Sequence, residues 1–157
     1  MPVVSPRCAA TALSALMLVA WLTACAVVSA PPPTLFERLG GAPRVDAVVG
    51  RLIDRAATDP RTRRSFDGIK LKALKDSLAQ QICSISGGGC RYEGETMARS
   101  HADLKIMAGE FDAMAGMLRE ELDRGGVDPG AKNELLRLLA PMKRDIVGGQ
   151  PAAAHGS

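Results

Sequence analysis

Aromatic side chains and histidines are scarce in this sequence of 157 residues. Three Phe, one Tyr and one Trp amount to 3% of the chain, and the two histidines are His101 and His155. With so few rings, a folded core must be filled mainly by Leu, Val, Ile, Ala and Met. His155 lies in a small polar tail, and the acidic residues look like solvated helix faces. The sequence therefore shows no second histidine inside the predicted domain and no group of side chains with a catalytic pattern.

A strong excess of charge of either sign is also lacking. The chain carries 20 Lys and Arg against 17 Asp and Glu, a formal net charge of +3, and the charges form no long block. Nucleic-acid binding needs a concentrated basic surface that neutralises phosphates. The composition therefore gives no support to a nucleic-acid partner, and the length suits one domain rather than two.

The first 24 residues have the pattern of a secretory signal. Arg7 is the only charge before an apolar stretch over residues 9–24, which at about 16 residues is short for a membrane span. Residues 22–25, Leu-Thr-Ala-Cys, resemble the lipobox of bacterial lipoproteins, in which the cysteine becomes the lipidated first residue. We therefore expect a signal peptide over residues 1–24 and a lipid on Cys25 that anchors an exported protein to a membrane, facing the periplasm. An ordinary cleaved signal, or an uncleaved anchor with an incidental cysteine, is the alternative.

A tether is predicted between Cys25 and the folded domain. Residues 25–33 end in three consecutive prolines, which favour an extended, semi-rigid polyproline segment. The folded domain is then expected over residues 34–148. The small, polar residues 149–157 are predicted to be a disordered tail.

Cys83 and Cys90 are the two cysteines inside the predicted domain. An exported protein lies where disulfides persist, and the glycines at 87–89 would let the chain double back between the two sulfurs. Closing so short a loop stabilises a fold by roughly 2–3 kcal/mol in the chain-entropy model. A metal site is less favoured, because no second Cys or His pair completes four ligands. A disulfide is predicted, with two free thiols as the alternative.

The domain reads as helices separated by glycine and proline, with little of the alternation typical of strands. Helices are predicted over residues 34–39, from about 43 to just before 59, and over about 70–86, 95–102 and 108–124. A last helix is predicted from 129 to about 146, kinked at Pro141. It is expected to bury Leu135, Leu138, Leu139, Met142 and Ile146. The expected fold class is all-α.

His101 lies between helices that have long apolar faces. A neutral imidazole held against an apolar wall is how proteins present an axial ligand to haem iron. Covalent haem attachment has no support, because no Cys-x-x-Cys-His motif is present. A partly exposed, hydrogen-bonded structural histidine is the alternative interpretation of the same residue.

Several segments occur in an order that resembles a known family. They are the opening Thr-Leu-Phe-Glu-Arg-Leu-Gly-Gly of residues 34–41, Phe66, the Leu-rich third helix, the Tyr-x-Gly of 92–94, Met97, His101, Ile106, Phe111 and the closing residues 138–147. Together they resemble the group I truncated haemoglobins, small bacterial globins built as a two-over-two helical sandwich. The resemblance covers residues 34–147, and the lipobox and paired cysteines are similar to those of an exported subset.

The resemblance implies a haem cofactor and its contacts. His101 corresponds to the proximal histidine that binds the iron, and Phe66 to a phenylalanine that packs on the haem face. Further haem contacts are implied for Leu74, Leu78, Met97, Ile106 and Phe111.

The sequence departs from the family's pattern on the side of the haem where gases bind. Many members place a tyrosine on the second helix and a glutamine on the third, whereas the corresponding residues here are Ile53 and Leu78, with Leu74 one turn earlier. None of these can donate a hydrogen bond. An apolar distal pocket is therefore expected. Gln81 is the nearest polar candidate, and the sequence leaves open whether its side chain faces the ligand or solvent.

A haem globin that reversibly binds O2, CO or NO on the periplasmic side of a membrane is the function expected from these features. A haem enzyme, such as an NO dioxygenase or peroxidase-like protein, is one alternative. A haem-free helical lipoprotein that binds a partner is another. No redox partner is identified by the sequence.

Overall fold

The computed structural model describes residues 31–147, which form short and medium helices joined by tight turns. The helices are α1 (Leu35–Arg38), α2 (Gly41–Ala56), α3 (Leu71–Ile85), α4 (Met97–His101), α5 (Ala108–Arg124), α6 (Pro129–Leu139) and α7 (Lys143–Ile146). Two 3-10 turns lie over Arg63–Phe66 and Ala140–Met142. Among the described residues the only β-pairing is an isolated bridge between Ile106 and Val147, so the all-α prediction is confirmed.

Local sequence signals set most helix boundaries. Thr34 caps α1 in a capping box with Glu37, and Asp128 caps α6 directly before Pro129. Gly126 follows α5 with a φ of +66°, a left-handed conformation that glycine adopts without strain. The predicted kink at Pro141 is also present, because this residue falls in the 3-10 turn between α6 and α7.

The core lies where α2 packs against α3 and α5, and α6 packs against α5 and α1. Helix α2 contributes the largest share of this core, because its apolar residues recur at three- and four-residue intervals and therefore lie on one face of the helix. The buried apolar cluster comprises Leu35, Leu39, Val45, Val48, Val49, Leu52, Ile53, Ala56, Ile82, Met117, Leu118, Leu122, Val127, Ala131 and Leu135.

Two expectations about burial are wrong. Leu138 is 39% exposed, although it lies only about 60° around α6 from the buried Leu135, because a position on the inward face gives burial only where another element covers the side chain. Not every acidic residue is solvated either: Glu110 and Glu121 on α5 are 6% and 0% exposed. Both carboxylates have arginine partners from other parts of the fold, a condition that a periodic pattern on one helix does not reveal.

Glu121 ties α5 to α2 through buried charge. Its carboxylate accepts a hydrogen bond from Arg51 Nε at 2.9 Å and one from Arg124, and Arg55 Nη1 lies 3.5 Å away. Burial opposes ionisation of Glu121, but the hydrogen bonds and charges of Arg51 and Arg124 outweigh it and lower its pKa. The carboxylate is therefore held ionised inside the helix interface.

The predicted disulfide between Cys83 and Cys90 is present, with the two Cα atoms 5.7 Å apart. The turn between them needs glycine at 88, because a Cβ there would lie 2.6 Å from both Cys83 Sγ and the Phe36 ring. The bridge joins the last turns of α3 to the loop that leads to α4. No helix within residues 31–147 combines the length and the apolar character needed to cross a membrane.

Candidate functional site

His101 is the last residue of α4, and its imidazole is half-buried. Its Nδ1 lies 2.7 Å from the backbone oxygen of Met97, one turn earlier in the same helix. A carbonyl oxygen only accepts hydrogen bonds, so Nδ1 must carry the hydrogen and donate it. In the neutral ring Nε2 then keeps its lone pair, and no group among residues 31–147 hydrogen bonds with it. The imidazole is thus oriented with Nε2 available as a ligand.

The wall facing α4 is one side of α3. Leu74, Leu78 and Gln81 follow one another at intervals of four and three residues, so they share a face of this helix. The Gln81 amide nitrogen lies 3.4 Å from Met97 Sδ and 3.5 Å from Met142 Sδ. Because Gln81 reaches α4 in this way, the face that carries Leu74 and Leu78 is the one turned towards the helix of His101.

Gln81 itself points inward rather than to solvent. Its side chain is among the buried polar groups, at 8% exposure. Thioether sulfurs are weak acceptors, so the two contacts satisfy the amide poorly while fixing its direction. The N–H donors of the Gln81 amide are therefore directed towards Met97 and Met142. Leu74 and Leu78 form the apolar part of the same wall.

The apolar residues predicted to contact haem are only half-buried in the protein alone. Phe66, Leu74 and Leu78 pack against the core with one side, and the remaining members of the set are also partly exposed: Met97, Ile106 and Phe111. Each square ångström of apolar surface left in water costs roughly 25 cal/mol. A large flat apolar group that covered these side chains would therefore be favourable here.

Ile53 stands apart from this half-exposed surface. Its side chain has 0% exposure and lies in the cluster between α2, α3 and α5. The structure thus places Leu74 and Leu78 on the wall facing α4, while Ile53 belongs to the buried apolar core. Cys25, the predicted lipidation site, lies outside the described residues.

The buried carboxylate of Glu110 lies beside this site and was missed in the sequence. Its Oε2 accepts from Arg64 Nη2 at 2.6 Å and from the Met107 backbone N–H at 2.8 Å, and its Oε1 accepts from Ser65 Oγ at 3.0 Å. Burial opposes its ionisation, but the hydrogen bonds from Met107, Arg64 and Ser65 outweigh burial and lower its pKa. Met107 is only three positions away at the start of α5, but Arg64 and Ser65 lie 46 and 45 positions away in sequence, so no local pattern pairs them with Glu110.

Arg64 extends this cluster to the loop after α4. Its Nη1 donates to the Leu104 carbonyl at 3.4 Å, and its Nη2 lies 3.3 Å from the Lys105 carbonyl. Lys105 has a φ of +47°, the only non-glycine positive φ among residues 31–147. We call Glu110, Arg64, Ser65 and the backbone of residues 104–107 the Glu110 cluster.

The site can therefore offer one nitrogen ligand from α4 and apolar surface from α3 and from the flanking segments. Within residues 31–147, no three His, Cys, Asp or Glu side chains come together as ligands for a bare metal ion. One axial nitrogen with a surrounding apolar wall is the arrangement that suits a metal already held in a macrocycle.

Comparison with known proteins identifies a family with this fold. The sequence profile of the bacterial-like globins matches residues 34–148. The group 1 truncated haemoglobin GlbN of Nostoc commune is 31% identical over 114 residues, which are 73% of this chain and 97% of that protein. The GlbN of Mycolicibacterium paratuberculosis is 27% identical over 121 residues, covering 77% of this chain and 89% of that protein.

Solved structures show the same fold. The truncated haemoglobin of Tetrahymena pyriformis in its Fe(III) form superposes with a TM-score of 0.70 at 23% identity, covering 74% of this chain and 99% of that one. The 2/2 haemoglobin of Synechococcus sp. PCC 7002, solved in the cyanomet state with covalently attached haem, gives 0.69 at 26% identity. That alignment covers 73% of this chain and 98% of the other. The predicted two-over-two helical sandwich is therefore confirmed.

Proposed function

The chain belongs to the bacterial-like globin family and, within it, to the group 1 truncated haemoglobins, and from this premise we propose that His101 holds its haem between α3 and α4. As a globin it binds haem, with iron as the metal, and it binds diatomic gases there. The observation that carries the proposal for His101 is the contact of its Nδ1 with the Met97 carbonyl at 2.7 Å, because this contact leaves Nε2 available as the ligand atom.

The side chains around His101 fit a haem. The half-buried Phe66, Met97, Ile106 and Phe111 supply apolar surface, and Leu74 and Leu78 supply the facing wall. Bound haem supplies the iron to which a gas binds. The protein's part is to hold the ligand nitrogen, to cover the macrocycle and to exclude water from it.

We expect the wall that faces a bound gas to lack hydrogen-bond donors. Leu74 and Leu78 have none, and the Gln81 amide is directed at the sulfurs of Met97 and Met142. Bound O2 carries partial negative charge, so a buried donor stabilises it by roughly 1–3 kcal/mol. CO and NO need less polar stabilisation, and this pocket therefore favours them relative to O2.

The O2 dissociation rate tests this pocket. We expect the protein reconstituted with haem to show a Soret band. We also expect it to release O2 about ten- to a hundredfold faster than truncated haemoglobins that carry tyrosine and glutamine at the positions of Ile53 and Leu78. Stopped-flow replacement of O2 by CO measures the rate. A rate as slow as in those relatives would show that a donor reaches the ligand. Absence of the Soret band would contradict the binding site itself.

We also propose that the chain is exported and anchored through lipid on Cys25. The Leu-Thr-Ala-Cys sequence at residues 22–25 and the Cys83–Cys90 disulfide both support an oxidising compartment outside the cytoplasm. In cell fractionation the wild-type protein should accompany membranes, and Cys25→Ala should lose lipid labelling with a radioactive fatty acid. Cys8→Ala is the matched control, since Cys8 lies in the predicted signal. Unlabelled wild-type protein would overturn the lipid anchor.

A further inference from the structure

The Glu110 cluster connects two segments that border the proposed haem site. Arg64 and Ser65 directly precede Phe66, at the end of a 3-10 turn. The backbone at residues 104–107 follows His101 and includes Ile106. One carboxylate on α5 therefore holds the segment of the Phe66 ring and the loop that continues from the ligand histidine.

The loop after His101 needs such support. Helix α4 is five residues long, and a helix of that length has no stability of its own in water. The left-handed backbone at Lys105 adds strain, because a side chain with a Cβ fits this region poorly. Such a conformation persists only where its surroundings hold it, and the contacts of Arg64 and Glu110 lie at this turn.

The connection from the cluster to His101 is short. The Leu104 backbone N–H donates to the His101 carbonyl at 3.1 Å, and the Leu104 carbonyl accepts from Arg64 Nη1 at 3.4 Å. One residue thus links the guanidinium to the last turn of α4. On the far side of the loop, the bridge between Ile106 and Val147 fixes it to the end of α7.

We propose that the Glu110 cluster is a positioning device for the axial histidine, which sets the placement of His101 Nε2 and of the Phe66 ring against haem. The inference rests on the proposed function and extends it to residues that do not touch the ligand. Glu110 and Arg64 are positioning residues, since their polar atoms are engaged with each other and with the loop. Groups that hydrogen-bond a ligating histidine commonly change metal affinity by about 10- to 100-fold, and the Glu110 cluster acts one backbone link further out, so we expect an effect at the lower end of that range.

The experiment compares Glu110→Gln and Arg64→Ala with Glu121→Gln, in the full chain loaded with haem. Glu121 is a matched control, because it is also a buried carboxylate of α5 with arginine partners, which come from α2 and α5 itself. Three measurements are made on each protein: the rate of haem transfer to an acceptor globin, the iron–histidine stretching band of the ferrous form by resonance Raman spectroscopy, and thermal unfolding. Hydrogen exchange of the Met107 amide is followed in the haem-free protein.

We expect Glu110→Gln and Arg64→Ala to speed haem transfer about tenfold and to shift or broaden the iron–histidine band. In the haem-free protein Glu110→Gln should also speed exchange at Met107. Glu121→Gln should lower the unfolding temperature while the band keeps its position. Arg64→Lys should restore only part of the wild-type haem retention that Arg64→Ala loses. An ammonium lacks the planar fork with which the guanidinium reaches two carbonyls and a carboxylate.

An unchanged band and transfer rate in Glu110→Gln would overturn the inference, and so would an equal change in Glu121→Gln, which would indicate general loosening. If Glu110→Gln does not fold, Ser65→Ala decides, because it removes one contact of the same carboxylate and should change the band in the same direction. A normal Soret band in the wild-type protein separates these outcomes from failure of the proposed function, which would remove that band altogether.

Discussion

Replacing His101 with alanine is expected to abolish the haem spectrum of the wild-type protein or to shift it to that of a weakly held haem. His101 is the only histidine among residues 31–147, and no cluster of other ligand side chains in that part of the chain can take its place. Loss of the proposed protein ligand would remove the bond that fixes the iron, so we expect haem affinity to fall at least about a hundredfold. Titration of haem into the purified variant, followed at the Soret band, measures the loss.

Two companion variants make the result specific. His155→Ala removes the only other histidine and should leave the spectrum unchanged. His101→Gly opens a cavity at the same position, and added imidazole should restore the Soret band by supplying the missing nitrogen. An unaltered axial ligand in His101→Ala would contradict the assignment of His101, whatever the fold.

Introducing a hydrogen-bond donor at Leu78 is expected to have the second largest effect. Leu78→Gln should slow O2 dissociation by about tenfold or more, because one buried donor to bound O2 is worth roughly 1–3 kcal/mol and each 1.4 kcal/mol is a factor of ten. Leu78 is half-buried on the wall facing α4, so a glutamine of similar size fits there. Stopped-flow O2 replacement measures the rate, and CO association should change much less.

The choice of Leu78 over Ile53 follows from packing. Ile53 is fully buried, so a tyrosine at this position would overpack the core and cost roughly 1–3 kcal/mol of stability. Leu78→Met keeps the volume without a donor and serves as the control for Leu78→Gln. Gln81→Leu should leave O2 dissociation within about threefold, because the Gln81 donor is directed at two sulfurs. If Gln81→Leu speeds release as strongly as Leu78→Gln slows it, Gln81 faces the ligand after all.

The helices were predictable because their signals are local. Thr34 with Glu37, Asp128 before Pro129, and the glycines after α3 and α5 act within one or two turns, and each boundary lies within a few residues of its prediction. Burial on α5 was predicted less well. An acidic residue on an inward face looks solvated until an arginine from another element comes into contact with it, as Arg51 does with Glu121.

The sequence by itself determined the helical pattern, the family resemblance, the one histidine available as a ligand within the domain and the absence of donors at residues 53, 74 and 78. Each of these features depends only on which residue types occur and on how far apart they lie along the chain, and both can be read directly from the sequence. Only the tertiary structure decided that the Gln81 amide is directed at Met97 and Met142, that Ile53 is fully buried, and that Glu110 joins the Phe66 turn to the loop after His101. Each of these depends on contacts between residues separated by many positions, and the packing of whole helices decides which contacts form.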